Sequence, residues 1–327
     1  MPRKRTSAAA AVTLTAAAAG LAALVWGTLI ERTMWTLREV RVPVLPVGAT
    51  PIRVLHLSDL HMAPWQREKQ EWIRSLADLN PDLIVDTGDN LGHRDGVQGV
   101  EYAFERFRGI PGVFVNGSND YYGPVVKNPL RYFQGPSSKH TGKAERLDTD
   151  ALLRLFDDLD WVDLNNAAGS LDIAGTHFEF FGVDDPHKHL DRPELITGAI
   201  DELRANDPLG EETWPDRGAS NPRPTVTIGV VHAPYQRVLN SFVTHGAQLI
   251  FAGHTHGGQV CVPGFGALVT NCDIPRKQVK GLSLWWHGVR NAYLNVSAGL
   301  GTSIYAPVRF ACPPEATLLT LVPENDR

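Results

Sequence analysis

The stretch IRVLHLSDLH, residues 52–61, decides the fold class. It opens as a short apolar strand and ends in Asp59 and His61, two residues apart, so in extended backbone the two side chains share a face and reach one ion. The next segment sets Trp72, Ile73, Leu76 and Leu79 at helical spacing before Pro81, and LIVDTG (83–88) reads as a second strand. A helix with Val97, Val100, Phe104 and Phe107 on one face then leads to a third strand, VFVN (113–116). Strand, helix, strand, helix, strand predicts parallel pairing with right-handed crossovers.

Further along come a helix carrying Leu152, Leu153, Phe156 and Leu159, and a hairpin through LDIAGTHFEFFGV (171–183). Strands follow at TVTIGVV (225–231), AQLIFAG (247–253), QVCV (259–262), AYLNV (292–296) and TLLTLV (317–322). The fold class expected is α/β, a two-sheet β-sandwich flanked by helices. Two segments fall outside that pattern: a basic one from Pro124 to Leu147, with Lys127, Arg131, Lys139, Lys143 and Arg146, and a Pro- and Gly-rich one over residues 205–224. Loops this long are functional lids or plain insertions.

The predicted strands end in polar residues. DTGDN places Asp89 just after Gly88, VVHAP offers His232, and FAGHTHGG offers His254 and His256. In an open α/β sheet the loops at the carboxyl ends of strands converge on one crevice, so six oxygen and nitrogen ligands point to one place. Mixed carboxylate and imidazole suits zinc, manganese or iron, with Asp89 as the natural bridge between two divalent ions. Two ions about 3.5–4 Å apart hold a hydroxide between them for in-line attack on a phosphate ester.

Asp59-x-His61, Gly88-Asp89-Asn90, His232 and Gly253-His254-Thr255-His256 together resemble the ordered motifs of the calcineurin-like metallophosphoesterase superfamily. GHTHGGQV and the tail SAGLGTS with VRFACPPE are similar to its bacterial membrane-associated branch, which includes diacylglucosamine pyrophosphohydrolase-type members. The resemblance implies one metal on Asp59, His61, Asp89 and His256, and another on Asp89, His232 and His254. It also implies a Gly-Asn-His-(Asp/Glu) turn after the third strand, whose Asn binds the second metal and whose His contacts the scissile phosphate. Here that turn reads Gly117-Ser118-Asn119-Asp120, which puts Ser118 at the metal position and Asn119 at the catalytic one; a small shift of the turn makes Asn119 the ligand instead. An amide does not titrate near neutrality, so Asn119 donates a hydrogen bond rather than a proton.

The other signals are weaker. His187 and His189 in DDPHKH have ligand-like spacing but match no motif, and a solvated loop is expected there. Gly299-Leu300-Gly301-Thr302-Ser303 offers backbone N–H groups either to an anion or to close packing. Cys261, Cys272 and Cys312 lack C-x-x-C spacing; buried thiols are expected, or a Cys261–Cys272 link closing a hairpin.

At 327 residues, 43% hydrophobic, the chain is long enough for a sizeable core. Its formal charge of −5 and the lack of a basic, aromatic-lined surface argue against a nucleic-acid partner. From Ser7 to Ile30 no charge occurs, enough length for a bilayer core of roughly 30 Å. A cleaved signal peptide is the rival reading, but its apolar run spans only about 7–15 residues. The organisation expected is a basic N-terminus and transmembrane anchor (1–30), a linker (31–51) reading as an extended tether with an edge strand, and a metallophosphoesterase domain (52–327). Arg3, Lys4 and Arg5 precede the anchor and Arg32, Arg38 and Arg41 follow it; the domain is expected outside the cytoplasm on a single-pass anchor. The function expected is hydrolysis of a phosphomonoester, phosphodiester or pyrophosphate, on a substrate that a membrane location allows to be lipid-linked. The alternative is a catalytically impaired metal-binding or regulatory module of the same fold.

Overall fold

The computed structural model describes residues 8–125, 144–207 and 225–325. The basic cluster at Arg3–Arg5, the segment with Lys127, Arg131, Lys139 and Lys143, and most of the Pro- and Gly-rich segment lie outside the described residues.

An exposed helix, α1 (Ala8–Val25), continues through a wider turn (Trp26–Ile30) and a short 3-10 turn (Glu31–Thr33) into β1 (Thr36–Leu45). There follow β2 (Ile52–Leu57), α2 (Arg67–Ser75), β3 (Leu83–Asp86), α3 (Gly96–Phe104), β4 (Gly112–Phe114), α4 (Ser118–Tyr121), α5 (Thr149–Asp158) and β5 (Val162–Asp163). The second half contains β6 (Ala168–Ile173), β7 (Thr176–Gly182), α6 (Ile196–Ala205), β8 (Thr225–Val230), α7 (Gln236–Thr244) and β9 (Leu249–Ala252). It ends with β10 (Cys261–Val262), β11 (Gly266–Ala267), β12 (Gly281–His287), β13 (Arg290–Val296) and β14 (Glu315–Pro323).

The strands form two six-stranded sheets, β1-β14-β2-β3-β4-β5 and β12-β13-β9-β8-β7-β6, with β10-β11 as a separate hairpin. β2, β3, β4 and β5 run parallel in register Val54↔Leu83, Ile84↔Gly112 and Val113↔Val162, as the alternation of strands and helices predicts. β7, β8 and β9 are also parallel. The two sheets share one core, in which Val54, Leu83, Val85 and Val113 of the first pack with Phe178, Phe180, Ile228 and Phe251 of the second. The outer face of the first sheet is covered by α2, α3 and α5 through Ile73, Phe104, Leu152 and Phe156, and Phe156 stacks on Phe114 at 4.2 Å. Asp148 starts α5 by accepting the Ala151 N–H at 2.9 Å. Burying each such large apolar side chain contributes roughly 1.5–3 kcal/mol, so the sheets and their helices form a rigid support for the strand ends. This is the helix-flanked two-sheet sandwich expected from the sequence.

Six elements, α4, β5, α6, α7, β11 and β12, are additional to the sequence reading. Much of the segment read as a linker is β1, the edge strand of the first sheet, paired with β14 from Thr36↔Glu315 onward.

Candidate metal centre

β2, β3, β4, β8 and β9 all end on one side of the sandwich, and the loops leaving them carry Asp59 and His61, Asp89, Asn119, His232, and His254 and His256. Strand alternation does not bring the pairs together. β2 stops at Leu57, and Asp59 and His61 have φ of 51° and 41°; Asp89, His254 and His256 have 57°, 66° and 50°. Five of the six predicted ligands thus occupy left-handed backbone, which costs a non-glycine residue free energy and is concentrated where a site demands it. The loops are stitched by backbone hydrogen bonds, Asp59 N–H to Gly88 O at 2.8 Å and His61 N–H to Asp89 O at 2.9 Å.

The ligand atoms converge. One each from Asp59, His61 and His256 lie within 4.8 Å of one another, and so do one each from Asp59, Asp89 and His232. Asp59 belongs to both groups, and Asp89 of the second reaches toward the first, with Oδ2 3.7 Å from His61 Nε2 and Oδ1 3.5 Å from His232 Nε2. His254 Nδ1 is 3.3 Å from His232 Nε2. The six residues suit divalent cations. Asp59 Oδ1 is buried without a hydrogen-bond partner. The Nε2 atoms of His61 and His256 face one another at 3.2 Å. His232 Nδ1 donates to the Thr87 carbonyl at 2.7 Å, which points Nε2 toward Asp89.

Electrostatics agree. Burial lowers His61 to about 4, against the pull of Asp89, and with neighbouring imidazoles it drives His254 and His256 well below the usual range, so these rings are neutral at pH 7, the form that can bind a cation. Burial raises Asp59 to about 6, offset in part by His232. Burial opposes charge on Asp89 and His232 as well, yet their mutual attraction and hydrogen bond prevail: Asp89 falls well below and His232 rises well above the ordinary value. A divalent ion held by these residues would displace that proton.

In the Gly117–Asp120 turn, the residue that reaches the centre is Asn119. Its backbone N–H donates to Asp89 Oδ1 at 2.7 Å and its side-chain Nδ2 to Asp89 Oδ2 at 2.6 Å. Ser118 opens α4 and is buried. Asp120 ties the turn to Asp89 by accepting the N–H groups of Asp89, Asn90 and Gly117 at 2.8, 2.7 and 2.9 Å. Gly117 has no room for a side chain: a Cβ there would stand 2.3 Å from Asp89 Oδ1.

Three residues at the centre, Arg309, Lys69 and Asp185, carried no signal at their spacing, and a fourth, His187, had ligand-like spacing but matched no motif. Arg309, fully buried, donates Nη2 to the carbonyls of Ala298 and Gly301 at 2.7 Å and lies 3.3 Å from His256 Nδ1. Lys69 of α2 donates to the Leu60 and His61 carbonyls at 2.5 and 3.3 Å and is lowered to about 7 by burial. Asp185, fully buried, keeps Oδ2 unpartnered and is raised to about 7 by burial, against His232. His187 is buried with its ring 4.4 Å from that of His254, which corrects the solvated loop expected for DDPHKH; His189 is exposed. The chain folds back at Asp185, whose carboxylate accepts the His187 N–H. The Gly299–Ser303 segment packs closely, since the Leu300 and Gly301 N–H groups are spent on Ser58 O and Asp59 O. Cys261 and Cys312 share the Gly257 carbonyl, and the β10-β11 hairpin pairs Cys261 with Ala267 rather than with Cys272; all three cysteines are free.

Residues 52–258 match the family described as calcineurin-like phosphoesterase. The chain is similar to an uncharacterized metallophosphoesterase, YkuE, of Bacillus subtilis (strain 168), 25% identical over 306 residues that cover 91% of this chain and 87% of that one. It is also similar to the uncharacterized protein YpbG of the same organism, 24% identical over 277 residues, 84% and 82% of the two chains. Among solved structures, TT1561 of Thermus thermophilus aligns with 77% of this chain and 91% of its own at 12% identity and a TM-score of 0.42.

Proposed function

The chain belongs to the calcineurin-like phosphoesterase family, and from that premise we propose that it hydrolyses a phosphomonoester, phosphodiester or pyrophosphate at a two-ion centre tethered to a membrane. That it is a metal-dependent phosphoester hydrolase acting on a phosphorylated substrate follows from the family; the ion pair, the anchor and a lipid-linked substrate are our reading. The observation that carries it is the position of Asp89 between His61 and His232, one carboxylate oxygen toward each.

We assign Asp59, His61, Asp89 and His256 to one ion and Asp89, His232 and His254 to the other, with manganese, zinc or iron suited to the donor set. Bound divalent ions supply Lewis acidity and an activated water. Asn119 fixes both oxygens of Asp89 and presents an amide that donates to charge without releasing a proton, so substrates with good leaving groups are preferred. Ser118, which the family resemblance puts at the second metal, is on our reading a supporting residue of the turn. Arg309 and Lys69 hold the His256 and His61 loops by their carbonyls.

A 24-residue span, Ala10–Thr33, with mean hydropathy 1.7 and little burial supports the anchor. Arg3, Lys4 and Arg5 ahead of the span support a single pass with the catalytic domain outside the cytoplasm, and Arg32, Arg38 and Arg41 beyond it nearly balance them. The test is hydrolysis by the purified full-length chain, supplied with manganese, zinc or iron, of a nitrophenyl phosphodiester and of lipid, nucleotide and sugar phosphates. Metal-dependent turnover is expected. Tight metal binding with no turnover on any of them would leave the impaired-module alternative, whose motive is the absence of a titrating group at Asn119.

A further inference from the structure

The turns that follow α1, Trp26–Ile30 and Glu31–Thr33, are seated on the domain. Arg309 N–H donates to the Gly27 carbonyl at 2.9 Å, and a Cβ on Gly27 would come within 2.7 Å of Arg309 O. Just beyond, Glu31 accepts the Trp26 indole N–H at 2.7 Å and the Cys312 backbone N–H at 2.5 Å. The helix is therefore gripped by residues 309–312, whose Arg309 also touches His256.

The same segment holds the β10-β11 hairpin. Cys261 N–H donates to Phe310 O at 2.8 Å, Phe310 N–H to Gln259 O at 3.0 Å, and Gln259 Nε2 to Ala306 O at 2.7 Å. On this hairpin and its neighbouring loop, Val262, Phe265, Leu268 and Tyr305 are 43%, 58%, 37% and 49% exposed. The Arg276 guanidinium lies 4.3 Å from the Phe265 ring centre, and Lys277 follows it. Scattered exposed apolar residues need no explanation. Four of them around one hairpin, rimmed by cations and built against the exit of an apolar helix, have the composition of a surface that enters the headgroup boundary. The chain leaving the hairpin returns to the metal centre, where the Asn271 carbonyl is 3.2 Å from His254 Nε2.

We propose that the β10-β11 hairpin, with Val262, Phe265, Leu268 and Tyr305, is a second membrane contact that seats on the bilayer beside α1 and presents the rim of the metal centre to phospholipid headgroups. The proposal rests on reading α1 as a membrane anchor. It goes beyond that reading because an anchor alone leaves the orientation of the domain unspecified, whereas two contacts fix it. A substrate whose phosphate lies at the membrane surface is then reached without leaving the bilayer.

The test uses the full-length chain in nanodiscs of phosphatidylethanolamine and phosphatidylglycerol, with or without bromine near the top of the acyl chains. Tryptophan emission of the Phe265→Trp protein, after subtraction of the wild type, reports the hairpin; wild type after subtraction of Trp26→Phe reports α1. Both difference signals are expected to lose most of their intensity in the brominated discs, with Phe265→Trp also shifted to shorter wavelength on reconstitution. Quenching of Trp26 with an unquenched, unshifted Phe265→Trp signal would overturn the hairpin contact and leave the anchor standing. If neither were quenched, the anchor and the hairpin contact would fall together.

Discussion

The two sheets contribute unlike halves to the centre. Of the six residues expected as ligands, loops of the first sheet bring both carboxylates, Asp59 and Asp89, with His61; loops of the second bring the imidazoles of His232, His254 and His256, with the buried carboxylate of Asp185 behind them. Anionic and neutral donors meet across the sandwich, with Asp59 Oδ2 accepting the His254 N–H at 2.9 Å and Asp89 facing His232. The centre therefore depends on the packing between sheets as much as on either motif, and on our proposal the imidazoles of the second half complete the coordination begun by the carboxylates of the first.

Asp89→Ala strikes the joint between the halves and is expected to have the largest effect, a fall in kcat of about 10³-fold or more, read by steady-state hydrolysis. Gly117→Ala disturbs the same carboxylate sterically, since the new methyl meets Asp89 Oδ1. About a hundredfold loss of kcat/KM is expected, with metal affinity falling in parallel in a titration. Asn119→Ala, on the first-sheet side, is expected to cost about 10–100-fold by releasing Asp89. Ser118→Ala is expected to stay within about twofold; a larger loss for Ser118 than for Asn119 would reverse their assignment.

The smallest effect concerns the layer beneath the first half. His56 is fully buried between Thr87 and Asn295 and is lowered from 6.5 to about 3 by burial. The unfolded chain protonates this ring at about 6.5, so its neutral-state contribution is complete above that pH and is lost as pH falls toward about 3, by up to about 4 kcal/mol. Denaturant unfolding between pH 7 and 4 is expected to show the wild type losing stability relative to His56→Asn.

Much of this was legible in the sequence. IRVLHL, LIVD and TVTIGV read as strands, the first two as parallel, because their apolar runs are short and bounded by turn residues, and the polar residues after them pointed to one crevice. The geometry of Asp59-x-His61 was not legible, because their approach comes from two left-handed residues rather than from strand alternation. Arg309 and Lys69 gave no signal because their partners are backbone carbonyls, brought near by tertiary packing and invisible to residue type. His187 was hidden in a polar DDPHKH segment whose fold-back on Asp185 creates its burial. β12 escaped because its alternation is broken: Leu282 and Leu284 are not fully buried while Trp285 is.

The central claim is a two-ion centre shared between the sheets through Asp89. The most direct measurement is the metal content of the full-length chain, wild type and Asp89→Asn, by elemental analysis after equilibration with manganese or zinc. The account predicts two ions per wild-type chain and a clear loss of bound metal in the variant. A single ion per wild-type chain, or an unchanged metal content in Asp89→Asn, would contradict it.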